Sequence, residues 1–237
     1  MNLNKKYRLP AEWEYHEATW IGWPNNKQDW PGKFQPIPWV YGEIVRYLSR
    51  GEIVRIIVQS LGHQKSAERV LKAVDADISK VEFFKLETDR NWLRDVGPQF
   101  VKNEKNETVL INFKFNAWAK YDNYKLDAKI PAMISKKLKL DLIKAEHQKR
   151  EVVLEGGSID YNGLGTIITT EECLMDSEKQ VRNKNFSKKD YEDVFNKYLG
   201  ATNVIWLNKG ITGDDTHGHV DDLTRFVNPN TVVTVME

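Results

Sequence analysis

A pattern that occurs twice, and begins a third time, governs how this sequence can fold. Two strand-like runs, a helical run and a closing strand-like run lie at residues 98–101, 109–115, 128–138 and 151–154. The same order recurs at 158–161, 166–170, 187–199 and 204–207. The strands read as short apolar or β-branched stretches, the helices as apolar residues at three- and four-residue spacing. Ser187 followed three residues later by Asp190 is a capping-box start, and Gly200 suits the position just past a helix end. A unit of roughly 55 to 60 residues results. A third copy opens with runs at 223–227 and 231–235 around Asn228, Pro229 and Asn230. An apolar hairpin with nothing to pack on leaves a bare sheet edge, so the set of repeats is expected to be incomplete. The expectation is an α/β fold of repeated ββαβ units, a single domain over residues 1–237, truncated before its last repeats.

Ahead of the repeat, strands are expected at 53–58 and 81–86 and helices at 40–48 and 66–74. Trp13, Trp20, Trp23, Trp30 and Trp39 fall among prolines in the first forty residues, which reads as an irregular, aromatic-capped entry segment. Lys and Arg number 35 against 34 acidic residues, a formal charge of +1. That balance gives no basic excess for nucleic acid or anionic membrane. The start, residues 1–8, is polar and lacks the apolar stretch of a signal peptide, and no run is long enough to span a bilayer, so a cytoplasmic location is expected. Cys173 is the single cysteine. It excludes an intrachain disulfide and a cysteine-rich zinc site, and in its apolar setting it reads as a small buried hydrophobe.

Three segments rich in glycine and carboxylates carry the chemistry: Asn-Trp-Leu-Arg-Asp-Val-Gly-Pro at 91–98, Leu-Glu-Gly-Gly-Ser at 154–158 and Asp-Asp-Thr-His-Gly-His-Val-Asp-Asp at 214–222. Asp95, Glu155 and Asp221 are separated by 60 and 66 residues, close to the repeat length, so they are expected at equivalent positions. Repeats closed around an axis would gather them with His219 into one pocket. Carboxylates gathered in a partly dry cleft repel one another unless a cation lies between them. A planar guanidinium with its fork of N–H donors fits such carboxylates best. Taken singly, each has a blander role: Asp95 capping a turn, Glu155 in a solvated loop, His217 and His219 on the surface. Repetition at one phase of the unit outweighs those. A metal triad of His217, His219 and Asp221 would need further ligands in register; no metal and no cofactor is expected.

At these residues the chain resembles the agmatine deiminase family, related to the bacterial peptidylarginine deiminases of the guanidine-modifying superfamily. The resemblance runs from Leu-Pro-Ala-Glu-Trp-Glu at 9–14 and Glu-Ala-Thr-Trp at 17–20 through Asp-Trp-Pro-Gly-Lys-Phe at 29–34, Phe-Asn-Ala-Trp at 115–118 and Thr-Thr-Glu-Glu-Cys-Leu at 169–174, besides the three segments above. It implies a pentein-type α/β propeller of five ββαβ units, here an incomplete set. It also implies hydrolysis of the guanidinium of agmatine to N-carbamoylputrescine and ammonia, in putrescine biosynthesis, and a homodimer by analogy. Asp95 and Asp221 are then expected to grip the guanidinium, His219 to act as general acid and base, and Glu155 to contact the guanidinium or support the histidine. Trp92 and Asp215 join them as substrate-binding residues, Asp214 and Asp215 being candidates for the primary ammonium of agmatine. The family's nucleophilic cysteine lies in a glycine-rich segment near the carboxyl end and has no counterpart here. The chain alone is therefore expected to be inactive, with a guanidine-binding remnant as the competing reading and arginine or peptidylarginine as competing substrates. Two residues depart from the family's pattern: Ala119, where glycine is more common after the tryptophan, and His217, where Asp or Asn is common.

Overall fold

The structure, a computed structural model, describes residues 7–236. The first six residues of the polar start and the last residue lie outside the described residues. The chain divides into two compact units, one of residues 15–93 and 123–127, the other formed by the rest.

In the first unit, β1 (Ala18–Gly22), α1 (Ile37–Leu48), β2 (Ile53–Val58), α2 (Leu61–Ala73) and β3 (Val81–Lys85) follow in order. The strands form an all-parallel sheet in the order β1-β2-β3, with Val54 opposite both Thr19 and Val81. β2 is the central strand and is buried along five of its six residues. That is why it reads as a continuous apolar run, not an alternation. Trp23, Val45, Val54, Ile56, Val58, Ala67 and Leu71 make the core. Two expectations are corrected here. The segment around Trp20 is not irregular, because residues 18–22 pair with β2 as an edge strand. And α2 begins five residues earlier than its apolar period suggests, because the Ser60 side chain accepts from His63 N and caps an otherwise weak start. Across the end of this unit, Asp127 is fully buried and accepts backbone N–H groups from Asp89, Arg90 and Asn91, which ties that turn down.

The second unit holds the repeat. After the single-turn helix α3 (Leu93–Val96) come β4 (Gln99–Lys102), β5 (Thr108–Asn112), α4 (Ile130–Leu138) and β6 (Leu142–Lys144). β4 and β5 pair antiparallel, and β5 and β6 pair parallel. After a short hairpin of β7 (Glu146–His147) and β8 (Arg150–Glu151), the second copy takes β9 (Ile159–Tyr161), β10 (Thr166–Thr170), the single-turn α5 (Glu171–Leu174), α6 (Lys188–Leu199) and β11 (Asn203–Leu207). Its pairing is the same, antiparallel then parallel. A third copy opens as the antiparallel hairpin of β12 (Thr224–Asn228) and β13 (Thr231–Thr234), whose Val233 is 59% exposed. The capping box of Ser187 and Asp190 is present, and Gly200 closes α6 at φ 73°. Ile111, Phe113, Val152, Ile159, Tyr191, Phe195 and Leu199 fill the core. The architecture is mixed α/β.

The closing strand of the first copy is not the expected run at 151–154. Lys139 ends α4 in a left-handed turn, and the chain enters β6 directly, bringing Leu142 opposite Leu110. Val152, Val153 and Leu154 are buried and contribute, among the described residues, only a single parallel bridge, Val153 to Lys114, in which the Lys114 backbone N–H donates to the Val152 carbonyl at 2.8 Å. An apolar run reports burial, and burial has two explanations, so the run alone could not distinguish a ladder strand from a core segment. No helix is long and apolar enough to cross a membrane among the described residues.

Candidate functional site

Four of the residues singled out from the sequence meet in the second unit. Asp95 stands on α3, Glu155 at the start of the turn before β9, and His219 and Asp221 on the loop before β12. The His219 ring is 2% exposed and faces all three carboxylates. Its Nδ1 lies 3.7 Å from Asp95 Oδ1 and 3.7 Å from Asp221 Oδ1, and its Nε2 lies 3.6 Å from Glu155 Oε2. The last distance exceeds a hydrogen bond, and Nε2 has no hydrogen-bond partner among the described residues.

Glycine makes the convergence geometrically available. A Cβ on Gly157 would lie 2.6 Å from His219 Nδ1, 2.7 Å from Asp95 Oδ1 and 2.9 Å from Asp221 Oδ2. A Cβ on Gly156 would meet the Arg94 carbonyl at 2.1 Å. The two glycines after Glu155 therefore serve different ends, one close backbone packing and the other open space among the polar groups. The Gly157 backbone is also a strut: its N–H donates to Asp95 Oδ1 at 3.0 Å, and its carbonyl accepts from Asp221 N at 3.3 Å.

Asp95 accepts a second bond from the Trp118 indole at 3.0 Å. Burial pushes its carboxyl up, the His219 imidazolium pulls it down, and Asp221 and Glu155 push it up again, to about 6. Burial works against a charged His219, but Asp95, Glu155 and Asp221 outweigh it and raise the imidazole to about 9. Burial likewise opposes a charged Glu155, yet the Arg182 guanidinium and His219 hold it below the usual carboxylate range.

Sequence reasoning missed Arg182. Its side chain and that of Glu155 are both fully buried, and Nε lies 3.3 and 3.2 Å from the two carboxylate oxygens. Glu155 is therefore already paired with a guanidinium of the chain itself, which favours support of the histidine over contact with a ligand. Nothing in the polar stretch around Arg182 announces this, because the pairing joins residues 27 apart through two loops. Trp118 and Arg94 lie within the family-like segments at 115–118 and 91–98, where nothing local announces their carboxylate partners. Arg94 Nε reaches Asp221 Oδ2 at 3.2 Å, and its guanidinium also pairs with Glu12.

The remaining expected residues lie elsewhere. Trp92 is in the first unit, where its indole donates to Asp29 at 3.0 Å and stacks on Trp30. Asp215 is 62% exposed along its side chain and is held by Lys120 and by the Tyr121 hydroxyl at 2.9 Å. Asp214 is spent on its own loop, accepting from the backbone of Thr216, Gly218 and His219, and so fixes the approach of His219. His217 turns to Asp176 at φ 65° and does not form a triad with His219 and Asp221. A left-handed residue there accounts for Asp or Asn being at home in this position.

Cys173, on α5, is 1% exposed, and burial pushes its thiol up. Its sulfur, one Glu155 oxygen and one His219 nitrogen lie within 4.8 Å of one another. The fixed positive charge of Arg182 on both Glu155 oxygens disfavours a cation there, so we do not read the trio as a metal site.

Comparison with known proteins gives the chain's relatives. The chain is 34% identical over 232 residues to an agmatine deiminase of Pseudomonas aeruginosa, covering 96% of this chain and 60% of that protein. It spans less than two thirds of the curated relatives it matches. Among solved structures it is similar to an agmatine deiminase of Enterococcus faecalis catalysing its reaction, at TM-score 0.85 and 27% identity over 98% of this chain and 61% of that one. It is similar also to a substrate-bound cysteine-to-serine agmatine deiminase of C. jejuni, at TM-score 0.82 and 30% identity over 97% and 65% of the two chains. Matched over residues 8–237, the chain belongs to the Porphyromonas-type peptidyl-arginine deiminase family.

Proposed function

We propose that this chain carries the guanidinium-binding part of an agmatine deiminase, a hydrolase that converts agmatine and water to N-carbamoylputrescine and ammonia. The observation that carries the reading is the pair Asp95 and Asp221, each 3.7 Å from His219 Nδ1 around the space left by Gly157. Two carboxylates on one side of a buried imidazole suit a planar cation with several N–H donors. Asp95 and Asp221 grip the guanidinium, and Glu155 supports His219. A thiolate attacks the guanidinium carbon, His219 protonates the departing ammonia, and the same residue then activates the water that releases the urea and the thiol. Similarity to agmatine deiminases, one of them described with substrate bound, supports agmatine over arginine or peptidylarginine. The ββαβ unit that recurs in the second compact unit supports the propeller reading of the fold, and the family match over residues 8–237 supports a single domain over residues 1–237.

Cys173 is not the attacking thiolate, since a fully buried thiol beside an ionised carboxylate resists deprotonation. The chain then binds agmatine without turning it over. Calorimetry with agmatine, beside an assay for ureido product, tests both halves. Binding weakened at least about tenfold in Asp95→Asn, with no product formed, is expected. Absence of binding removes the functional reading, and product formation abolished by Cys173→Ser makes Cys173 the nucleophile after all.

A further inference from the structure

We propose that Arg182 is the positioning residue for His219: its guanidinium keeps Glu155 ionised at the imidazole Nε2 and ties the loop that carries His219 to the same carboxylate. The geometry has three parts. Arg182 Nε lies 3.3 and 3.2 Å from the two Glu155 oxygens. Nη1 donates to the Gln180 carbonyl at 2.9 Å, and Nη2 donates to the carbonyl of Thr216, three residues before His219. Neither side chain of the pair has any exposed surface, so no solvent screens it. One guanidinium thus holds both the acceptor that faces Nε2 and the strand of loop that presents the ring.

A buried ion pair is a poor way to gain stability, since well-packed apolar residues do as well. Its consequence for the proton is more specific. Without Arg182, the charged form of Glu155 would have only the imidazolium as counter-ion, and the pair would hold its proton tightly. With a guanidinium that never deprotonates already in place, the imidazole proton is not needed to neutralise Glu155 and can be released and regained. Removing the positive charge must therefore raise the proton affinity of the Glu155–His219 pair. The other groups facing the ring are Asp95 and Asp221 at Nδ1 and the thiol of Cys173, with Asp214 and Asp222 on the histidine's own loop. All of them stay when Arg182 is changed.

The assignment rests on reading His219 as acid and base, but its test needs no turnover. In the full chain with isotope-labelled histidine, the ring signals of His219, assigned with His219→Gln, are followed against pH for the unmutated protein, Arg182→Lys and Arg182→Gln. Arg182→Gln is expected to move the midpoint up by about one pH unit, a tenfold rise in proton affinity, while Arg182→Lys restores most of the original value. A merely structural arginine would lower the stability of both variants and leave the midpoint alone; an unmoved midpoint in Arg182→Gln, or an equal shift in both variants, overturns the proposal. If Arg182→Gln does not fold, labelled glutamate in the unmutated chain decides. The Glu155 carboxyl signal is expected to stay at its ionised position to pH values below the ordinary glutamate range, and a Glu155 that protonates within or above that range overturns the proposal. A chain that binds no agmatine but whose imidazole obeys Arg182 would remove the proposed function and leave this assignment in place.

Discussion

A methyl group on Gly157 would lie 2.6 Å from Nδ1 of His219, closer than real Cβ atoms approach a neighbour. It would also press on Asp95 and Asp221, so the obstruction falls where a ligand's guanidinium is proposed to sit. Gly157→Ala is expected to weaken agmatine binding at least about tenfold, or ~1.4 kcal/mol. Gly156→Ala differs in kind, because its Cβ meets the Arg94 backbone at 2.1 Å. It should lower the melting temperature, whereas Gly157→Ala should act mainly on binding. Calorimetry and thermal melts of the two variants, taken together, separate the cases.

The buried Arg182–Glu155 pair makes a stability prediction of its own. Leaving one member of a buried pair alone strands a charge, at a cost of about 3–5 kcal/mol. Arg182→Met should therefore unfold at much lower urea than the unmutated chain. The double variant Arg182→Met with Glu155→Gln should recover part of that loss, since no buried charge is left unpaired. Urea denaturation of the unmutated chain, Arg182→Met, Glu155→Gln and the double variant checks this, and strictly additive losses would mean that the two residues are not coupled.

The ionisation of Asp95 sets an acid limit on binding. Its carboxyl is raised from 3.8 to about 6, chiefly by burial, so it is ionised at neutral pH and protonated below about 6. A protonated Asp95 cannot pair with a guanidinium. Agmatine affinity is expected to fall by up to about tenfold per pH unit below 6 and to lose most of that dependence in Asp95→Asn. Binding isotherms between pH 5 and 8 are the measurement.

His219 gives the opposite slope, and it appears in stability. Its folded value, about 9, is above the unfolded 6.5, so the folded chain binds the extra proton between those limits. The stabilisation is complete below about 6.5 and is lost as the pH rises through about 9, on the order of 3 kcal/mol in all. Thermal melts from pH 6.5 to 9 should show a decline that His219→Gln removes; parallel declines in both proteins would assign the effect to other groups.

Ala119 closes a run of three left-handed residues, Ala117 at φ 53°, Trp118 at 59° and itself at 52°. The run orients the Trp118 indole toward Asp95. A left-handed non-glycine residue costs roughly 1–2 kcal/mol, and glycine gives back about 0.4–1 kcal/mol through the freedom of the unfolded chain. Ala119→Gly is thus expected to stabilise the protein by roughly 0.5 kcal/mol, seen as a small rise in Tm.

Much of the architecture was legible because it depends on local chemistry. The central strand at Ile53–Val58 showed as an unbroken apolar run, and α6 was bracketed by Ser187 and Gly200 to within a residue. Spacing marked Asp95, Glu155 and Asp221 as equivalents, and they do converge with His219. Boundaries that depend on a partner were misread. The edge strand Ala18–Gly22 is defined by its pairing with β2, and Leu142–Lys144, not the apolar run after it, closes on β5.

The sequence by itself determined the recurrence of the unit, both ends of α6 and the recurrence of the carboxylate-bearing segments, because each is carried by short local motifs. Only the tertiary structure decided how those carboxylates are used. Arg182 lies 27 residues from Glu155, and no local pattern connects them. Both side chains are fully buried. In that interior a charge must find its counter-ion wherever the fold brings one, and that choice is made by packing in three dimensions.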